Sequence, residues 1–377
     1  GDAGAYPRVL SRPGLKGTMR ITQVMLTRTF GGAERYFVDL CLELAERGFD
    51  VQAICHRRFH GRQWLEAQRG VRVEPIAVLG TWDRLAAGRM GALIREFGPA
   101  VVHAHLARAA CLGGAAARRA GVPVCVKTHN YVALKYYRDV DAFITTTCDQ
   151  RDYLVGQGVP DEDICVIPNF SRVSADDVTE PLVDPAGPLT IGALGRFVQE
   201  KGFHLLVKAF ARAFPVPSSA RLTIAGDGPE RQRLASLIDA EGLTERVTLP
   251  GWTNDVTGFL DAIDVFVLPS TFEPFGIVLI EAMARGRVIV STEVAGPLEF
   301  LDNATASLVP PDSVSALASA LTAVVDNPAD ARAKATEARR RFRTHYSAEA
   351  VVPRIVEVYR MLGVNVGNPR RRPGAAR

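Results

Sequence analysis

The chain has 377 residues, 47% hydrophobic and 23% charged, with 33 Gly and 23 Pro, which is the composition of a globular protein with room for two cores and excludes a fibrous or disordered one. Its formal charge of +4 matches its four terminal arginines, Arg370, Arg371, Arg372 and Arg377; the other 41 basic residues are balanced by 41 acidic ones. A folded body without net charge, lacking interleaved basic and aromatic patterns, argues against a nucleic-acid partner.

Residues 1–18 precede Met19-Arg20-Ile21-Thr22, which reads like a natural start, so they are set aside as an added leader. From Ile21 onward short apolar runs alternate with longer amphipathic ones, the sign of parallel strands joined by crossover helices. Strand-like Ile21 to Leu26 meets a Gly-rich turn and then a helix carrying Phe37, Leu40, Cys41 and Leu44 on one face, stopped at Gly48. Further strands are expected at 51–55, 71–76, 100–105, 122–127, 142–147 and 164–167. These make residues 19–170 one doubly wound domain.

Residues 171–188, rich in Pro, Asp and Ser, read as a linker. The alternation restarts over 189–347, with strands at 190–194, 222–225, 247–249, 265–268 and 288–291, a helix at 204–214, and one long Ala- and Arg-rich helix near 313–342. A last helix, 348–362, is expected to return to the first domain, leaving a basic tail, 363–377, as a solvated end able to touch anionic lipid. The fold class is therefore α/β, two Rossmann-like doubly wound domains expected to face each other across a cleft. Cys41, Cys55, Cys111, Cys125, Cys148 and Cys165 lie mostly in apolar runs without Cys-x-x-Cys spacing and read as buried thiols of a reducing compartment. No apolar run reaches 18 residues and no signal peptide is evident, so a cytoplasmic location is expected, with at most peripheral contact at the inner face of the membrane.

The strongest chemical signal is Ser270 to Ala282. Pro269 to Pro274 has turn composition and a helix begins at Gly276, so Glu273 precedes the helix and Glu281 lies within it. Glu281 is either a solvated residue at the edge of the stripe or a carboxylate accepting two ribose hydroxyls. The free amides around Gly276, Ile277 and Val278 suit an anion. Arg196 and Lys201 follow the first strand of the second domain and are either a solvated basic pair or two cations converging on a diphosphate, with Gly202 easing close approach. Gly31-Gly32 is a tight turn needing positive φ or a backbone seat for phosphate, Gly32 being the donor-binding candidate. Without a Gly-x-Gly-x-x-Gly there, and with no third glycine after Gly226-Asp227-Gly228, a dinucleotide dehydrogenase is disfavoured. His103 and His105 point to one side of their strand; no third ligand at a telling spacing supports a metal. His129 and Asn130 end the next strand.

Glu273 to Glu281 resembles the E-x7-E signature of the retaining transferases of GT-B fold, glycosyltransferase family 4. The resemblance extends through Gly31-Gly32-Ala33-Glu34, His103-Ala104-His105, Ile167-Pro168-Asn169, Gly195-Arg196-(x)4-Lys201-Gly202, Ala225-Gly226-Asp227-Gly228-Pro229 and Pro250-Gly251-Trp252. It implies that Glu281 binds the nucleotide ribose, that Glu273 and His105 contact the transferred sugar, that Arg196 and Lys201 hold the donor phosphates, and that Gly226 and Gly251 line the base. It further implies front-face attack in the transfer of a hexosyl group from a UDP- or GDP-sugar, with no cofactor besides the donor; the second domain has no Asp-x-Asp set at a strand end, so no metal is expected. The first domain's Arg57-Arg58-Phe59-His60 and Tyr136-Tyr137-Arg138 suit a phosphorylated, glycan or lipid-linked acceptor, as in lipopolysaccharide or other cell-surface glycoconjugates. A nucleotide-sugar epimerase or phosphorylase of similar fold, and a non-catalytic sugar-nucleotide-binding module, remain alternatives.

Overall fold

The computed structural model describes residues 19–176, 178 and 188–364; the leader, most of the linker and the arginine tail lie outside them. The chain divides into two units. Unit 1 ends at Pro168 and resumes at Val351, and unit 2 runs Asn169–Ala350.

Unit 1 is a seven-stranded parallel sheet of β1 (Arg20–Met25), β2 (Asp50–His56), β3 (Val71–Ile76), β4 (Val101–His105), β5 (Val124–Lys127), β6 (Ala142–Thr145) and β7 (Ile164–Val166), in the order β3-β2-β1-β4-β5-β6-β7. In register, Met25 lies beside Cys55 on one side and His105 on the other, so β2, β1 and β4 end at one level. Unit 2 holds β8 (Thr190–Leu194), β9 (Arg221–Ala225), β10 (Val247–Gly251), β11 (Val265–Leu268), β12 (Val288–Thr292) and β13 (Ser307–Val309), in the order β10-β9-β8-β11-β12-β13. Both sheets reverse direction of growth once, between β1 and β4 and between β8 and β11.

Buried parallel strands need apolar residues on both faces, and β11 illustrates it. Val265 and Val267 enter one core with Leu206, Phe210 and Leu321, while Phe266 and Leu268 enter the other with Leu279, Ile280 and Phe342.

Four points of the sequence reading are corrected. The long helix near 313–342 is two, Val314–Asp326 and Pro328–His345. Pro328 lacks an amide donor and drives Asn327 out of helical space, to φ −129° and ψ 64°. The strand β13, three residues before Pro310-Pro311, was too short to show a period. The segment 171–176 is packed into unit 2 rather than spanning solvent: Val173 and Ala175 join its core, the Arg285 guanidinium donates to the Ser174 carbonyl, and Arg339 and Arg343 donate to that of Ala175. All six cysteines are thiols, but Cys148 is exposed and only Cys41, Cys55 and Cys125 are fully buried.

Candidate active site

In an open parallel sheet the helices on either side of the reversal leave by opposite faces, opening a crevice at the carboxyl edge. In unit 2 that edge carries the loops that leave β8 and β11. After β8 come Gly195, exposed Arg196 and a single 3-10 turn, Gln199–Lys201, closed by Gly202 at φ 65°. After β11 comes the loop to Glu273 and then the helix Ile277–Ala284, capped by Gly276 at φ 91°. The Lys201 ammonium and the Glu273 carboxylate form an ion pair, their side chains 20% and 9% exposed. Two backbone contacts hold the turn against the loop. The Thr271 amide donates to the Glu200 carbonyl at 2.8 Å, and a Cβ on Gly202 would lie 2.0 Å from the Pro269 carbonyl oxygen. A side chain at 202 would therefore part the very segments that bring the ion pair together. Sequence spacing could not show this pairing, because the partners are 72 residues apart.

Glu281 is 2% exposed, which rules out the solvated reading; its carboxylate accepts from the Ser171 hydroxyl at 3.3 Å. It stands in the second turn of the helix Ile277–Ala284. Arg196 has no ion pair among the described residues. Gly226 has a φ of 147°, and a Cβ there would sit 1.9 Å from the Gly195 carbonyl oxygen, so the loop after β9 lies backbone against backbone on the Arg196 loop. Gly251, at φ 95°, accepts from the Gly226 amide at 2.8 Å. Two further residues that the sequence did not single out hold this edge. Arg231 donates to the carbonyls of Gly226 and Leu249. Gly296 donates to the Glu273 carbonyl at 3.2 Å and sits so close that a Cβ would meet that oxygen at 2.3 Å.

In unit 1 neither Gly31 nor Gly32 has a positive φ, so the tight-turn reading fails. Gly31 is extended and caps the helix Gly32–Glu46, its amide donating to Glu34 at 3.1 Å. His105, at the end of β4, is 0% exposed. It belongs to a chain of buried polar groups. His105 Nε2 donates to Gln23 Oε1 at 2.9 Å, Gln23 Nε2 donates to the Tyr359 hydroxyl at 3.0 Å, and that hydroxyl lies 2.6 Å from His103 Nδ1. At the other end His105 Nδ1 faces half-buried His129 at 3.4 Å. Asn130 is exposed. Burial and then neighbouring Lys127 hold His105 neutral, its pKa lowered to about 3; His129 is also pushed well down, by burial and then by His105 and Lys127. Tyr359 comes from the helix Ala348–Val364. Among the described residues no three His, Cys, Asp or Glu side chains are grouped to hold a metal ion.

Residues 30–172 match the family described as Glycosyltransferase Family 4, and residues 176–342 that described as Glycosyl transferases group 1. The lipopolysaccharide core biosynthesis glycosyltransferase LpsD of Rhizobium meliloti (strain 1021) is 31% identical over 343 residues, which is 88% of this chain and 95% of the relative. LpsE of the same organism is 34% identical over 275 residues, 72% of this chain and 78% of that one. Among solved structures, Anabaena Alr3699/HepE in complex with UDP and glucose superposes with a TM-score of 0.80 at 20% identity, covering 91% of this chain and 100% of the other. The fold is thus the GT-B type of two doubly wound α/β units, and the molecule is a glycosyltransferase. It belongs to glycosyltransferase family 4.

Proposed function

We propose that the enzyme transfers a hexosyl group from a UDP- or GDP-sugar to an acceptor hydroxyl of a lipopolysaccharide core or related cell-surface glycan, with retention of anomeric configuration. The observation that carries this reading is the convergence of Arg196, the Lys201–Glu273 pair, the first amides of the helix Ile277–Ala284 and buried Glu281 at the reversal point of one sheet. The names of LpsD and LpsE, and the UDP and glucose held by HepE, support the substrate class.

In this reading Glu281 accepts the ribose hydroxyls, and Gly226 and Gly251 line the base. Arg196, Lys201 and the amides of Ile277 and Val278 receive the diphosphate. The bond from the anomeric carbon to the diphosphate oxygen breaks as the acceptor oxygen bonds on the same face, and the acceptor proton passes to the departing diphosphate. The cations stabilise the charge left on that group. Glu273, held by Lys201, contacts the transferred sugar.

This clamp works without a divalent metal. Asp261 is engaged by Arg285 at 2.7 Å, and Asp264 by the Thr190 amide at 2.9 Å, leaving positive side chains and helix amides as the groups that face the diphosphate. With radiolabelled UDP- and GDP-sugars and rough-core lipopolysaccharide as acceptor, excess EDTA is expected to leave the rate within about twofold and the product anomer unchanged. Abolition by chelator with rescue by magnesium or manganese defeats the clamp.

A lipid-borne acceptor must be met at a membrane surface. No described helix is long and apolar enough to cross one. The loop after β3 offers a contact instead: Leu79, Trp82 and Leu85 are 74%, 72% and 79% exposed. Asp83 holds this loop rigid, accepting from the amides of Leu79 and Ala86. Amphipathic Trp beside Leu and Arg84 suits the headgroup boundary of an anionic bilayer. Flotation with vesicles containing phosphatidylglycerol should carry the protein at low salt, and Leu79→Ser/Trp82→Ser/Leu85→Ser should stay behind. Equal flotation of both disposes of this loop as the contact.

A further inference from the structure

We propose that the carboxyl edge of the unit 1 sheet, around Arg28, Arg57 and Arg108, is a binding site for a phosphate monoester borne by the acceptor.

The three arginines arrive there from three neighbouring strands. Arg28 is three residues beyond the end of β1, Arg57 directly follows β2, and Arg108 is three residues beyond β4. Since β1 and β4 flank the reversal point, this is the crevice that the topology opens for a ligand in unit 1. The chain reaches Arg108 through Leu106, whose φ of 67° is rare for a leucine and turns the strand straight into the helix Leu106–Ala120. Arg108 also ties two of the segments together, donating to the Leu26 carbonyl at 3.2 Å.

Beneath them lies His56, the last residue of β2, only 2% exposed. The Arg58 amide donates to His56 Nδ1 at 3.0 Å, so the neutral ring carries its proton on Nε2. The leading charges acting on this imidazole are positive. Burial first, then Arg28, Arg108 and Arg57, hold its pKa below the usual value, opposed only by a hydrogen bond with the Val78 backbone. Among the described residues none of the three arginines has a carboxylate partner, and the enclosed Thr27 hydroxyl beside Arg28 makes no hydrogen bond. Three guanidinium groups with planar donor forks and no counter-charge match a compact dianion. A lone carboxylate or a neutral sugar would leave most of that charge unmatched.

The site rests on the proposed transfer only in assigning the phosphate to the acceptor, and the test does not need turnover. Heteronuclear NMR follows the His56 imidazole, its resonance assigned by loss in His56→Gln, with UDP or GDP present so that the unit 2 phosphate site is filled. Glucose 6-phosphate or sn-glycerol 3-phosphate is expected to raise the His56 pKa by about one unit or more, because a nearby anion favours the imidazolium. Glucose and glycerol should leave it where it is. In Arg28→Gln/Arg57→Gln the dissociation constant should rise at least about tenfold, the loss expected for one charge-assisted hydrogen bond. Tighter binding of glucose 6-phosphate marks a sugar-borne phosphate, and tighter binding of glycerol 3-phosphate a lipid headgroup; either supports the site. A His56 that ignores both phosphates, or responds equally in the double variant, overturns it. A His56 response in a protein that binds neither UDP nor GDP would retain the anion site and remove the transfer reading instead.

Discussion

Replacing Lys201 by alanine is expected to lower kcat by about 100- to 1,000-fold, the loss typical of one preorganised charge donor at a departing anion. The ion pair with Glu273 adds a second, separable consequence. With the ammonium gone, a carboxylate only 9% exposed loses its partner. Fully buried pairs cost about 3 to 5 kcal/mol to break and exposed ones about 0.2 to 1; this one, on the rim, should cost about 1 to 3 kcal/mol. For a unit of this size that is a drop in Tm of several degrees, at about 2 to 4 °C per kcal/mol. Lys201→Ala/Glu273→Gln removes the stranded charge, so it should recover most of the Tm and none of the rate. Glu273→Ala alone should lower turnover more than nucleotide affinity. A Lys201→Ala enzyme with more than about a tenth of the wild-type kcat would contradict the role of this side chain at the diphosphate.

Glu281→Ala should act on the other half of the site, weakening whichever of UDP and GDP the wild type binds. A carboxylate holding ribose hydroxyls makes charge-assisted hydrogen bonds worth about 1.5 to 3 kcal/mol, or roughly 10- to 150-fold in Kd. The carboxylate is enclosed at 2% exposure with the Ser171 hydroxyl beside it. Calorimetry with free nucleotide measures the affinity. A thermal-shift series gives an independent reading, because ligand at 100 times its Kd stabilises by about 2.7 kcal/mol. Unchanged affinity in Glu281→Ala would remove the ribose assignment. Glu281→Gln, which keeps an acceptor but not the charge, should fall between the two.

Much of this was legible in the residues alone. Short continuous apolar runs such as Val265–Leu268, bounded by turn residues, read as strands buried on both faces, and their alternation with amphipathic stretches determined the fold class. The turn-and-helix composition around Glu273 and Gly276 likewise placed one residue before a helix and Glu281 within it. Short or interrupted elements escaped because their signal is not periodic: β13 has three residues, and the break at Pro328 is a backbone effect inside one unbroken helical composition.

What only the tertiary structure decided are relations between distant residues. Lys201 and Glu273 become an ion pair because Gly202 and Pro269 meet backbone to backbone, a contact that depends on the absence of a side chain and leaves no pattern in a linear sequence. His105 looked ligand-facing from its place at a strand end. Tyr359 and Gln23, 336 residues apart, enclose it in a hydrogen-bonded chain, and His129 takes the outer position. The same holds for Arg28, Arg57 and Arg108. In the sequence Arg57 stands in a basic and aromatic loop while Arg28 and Arg108 carry no signal, and only the order β2-β1-β4 gathers their charges on one buried imidazole. Local sequence sets periodicity and capping, whereas strand order sets which loop ends are neighbours, and it is at those ends that charge converges.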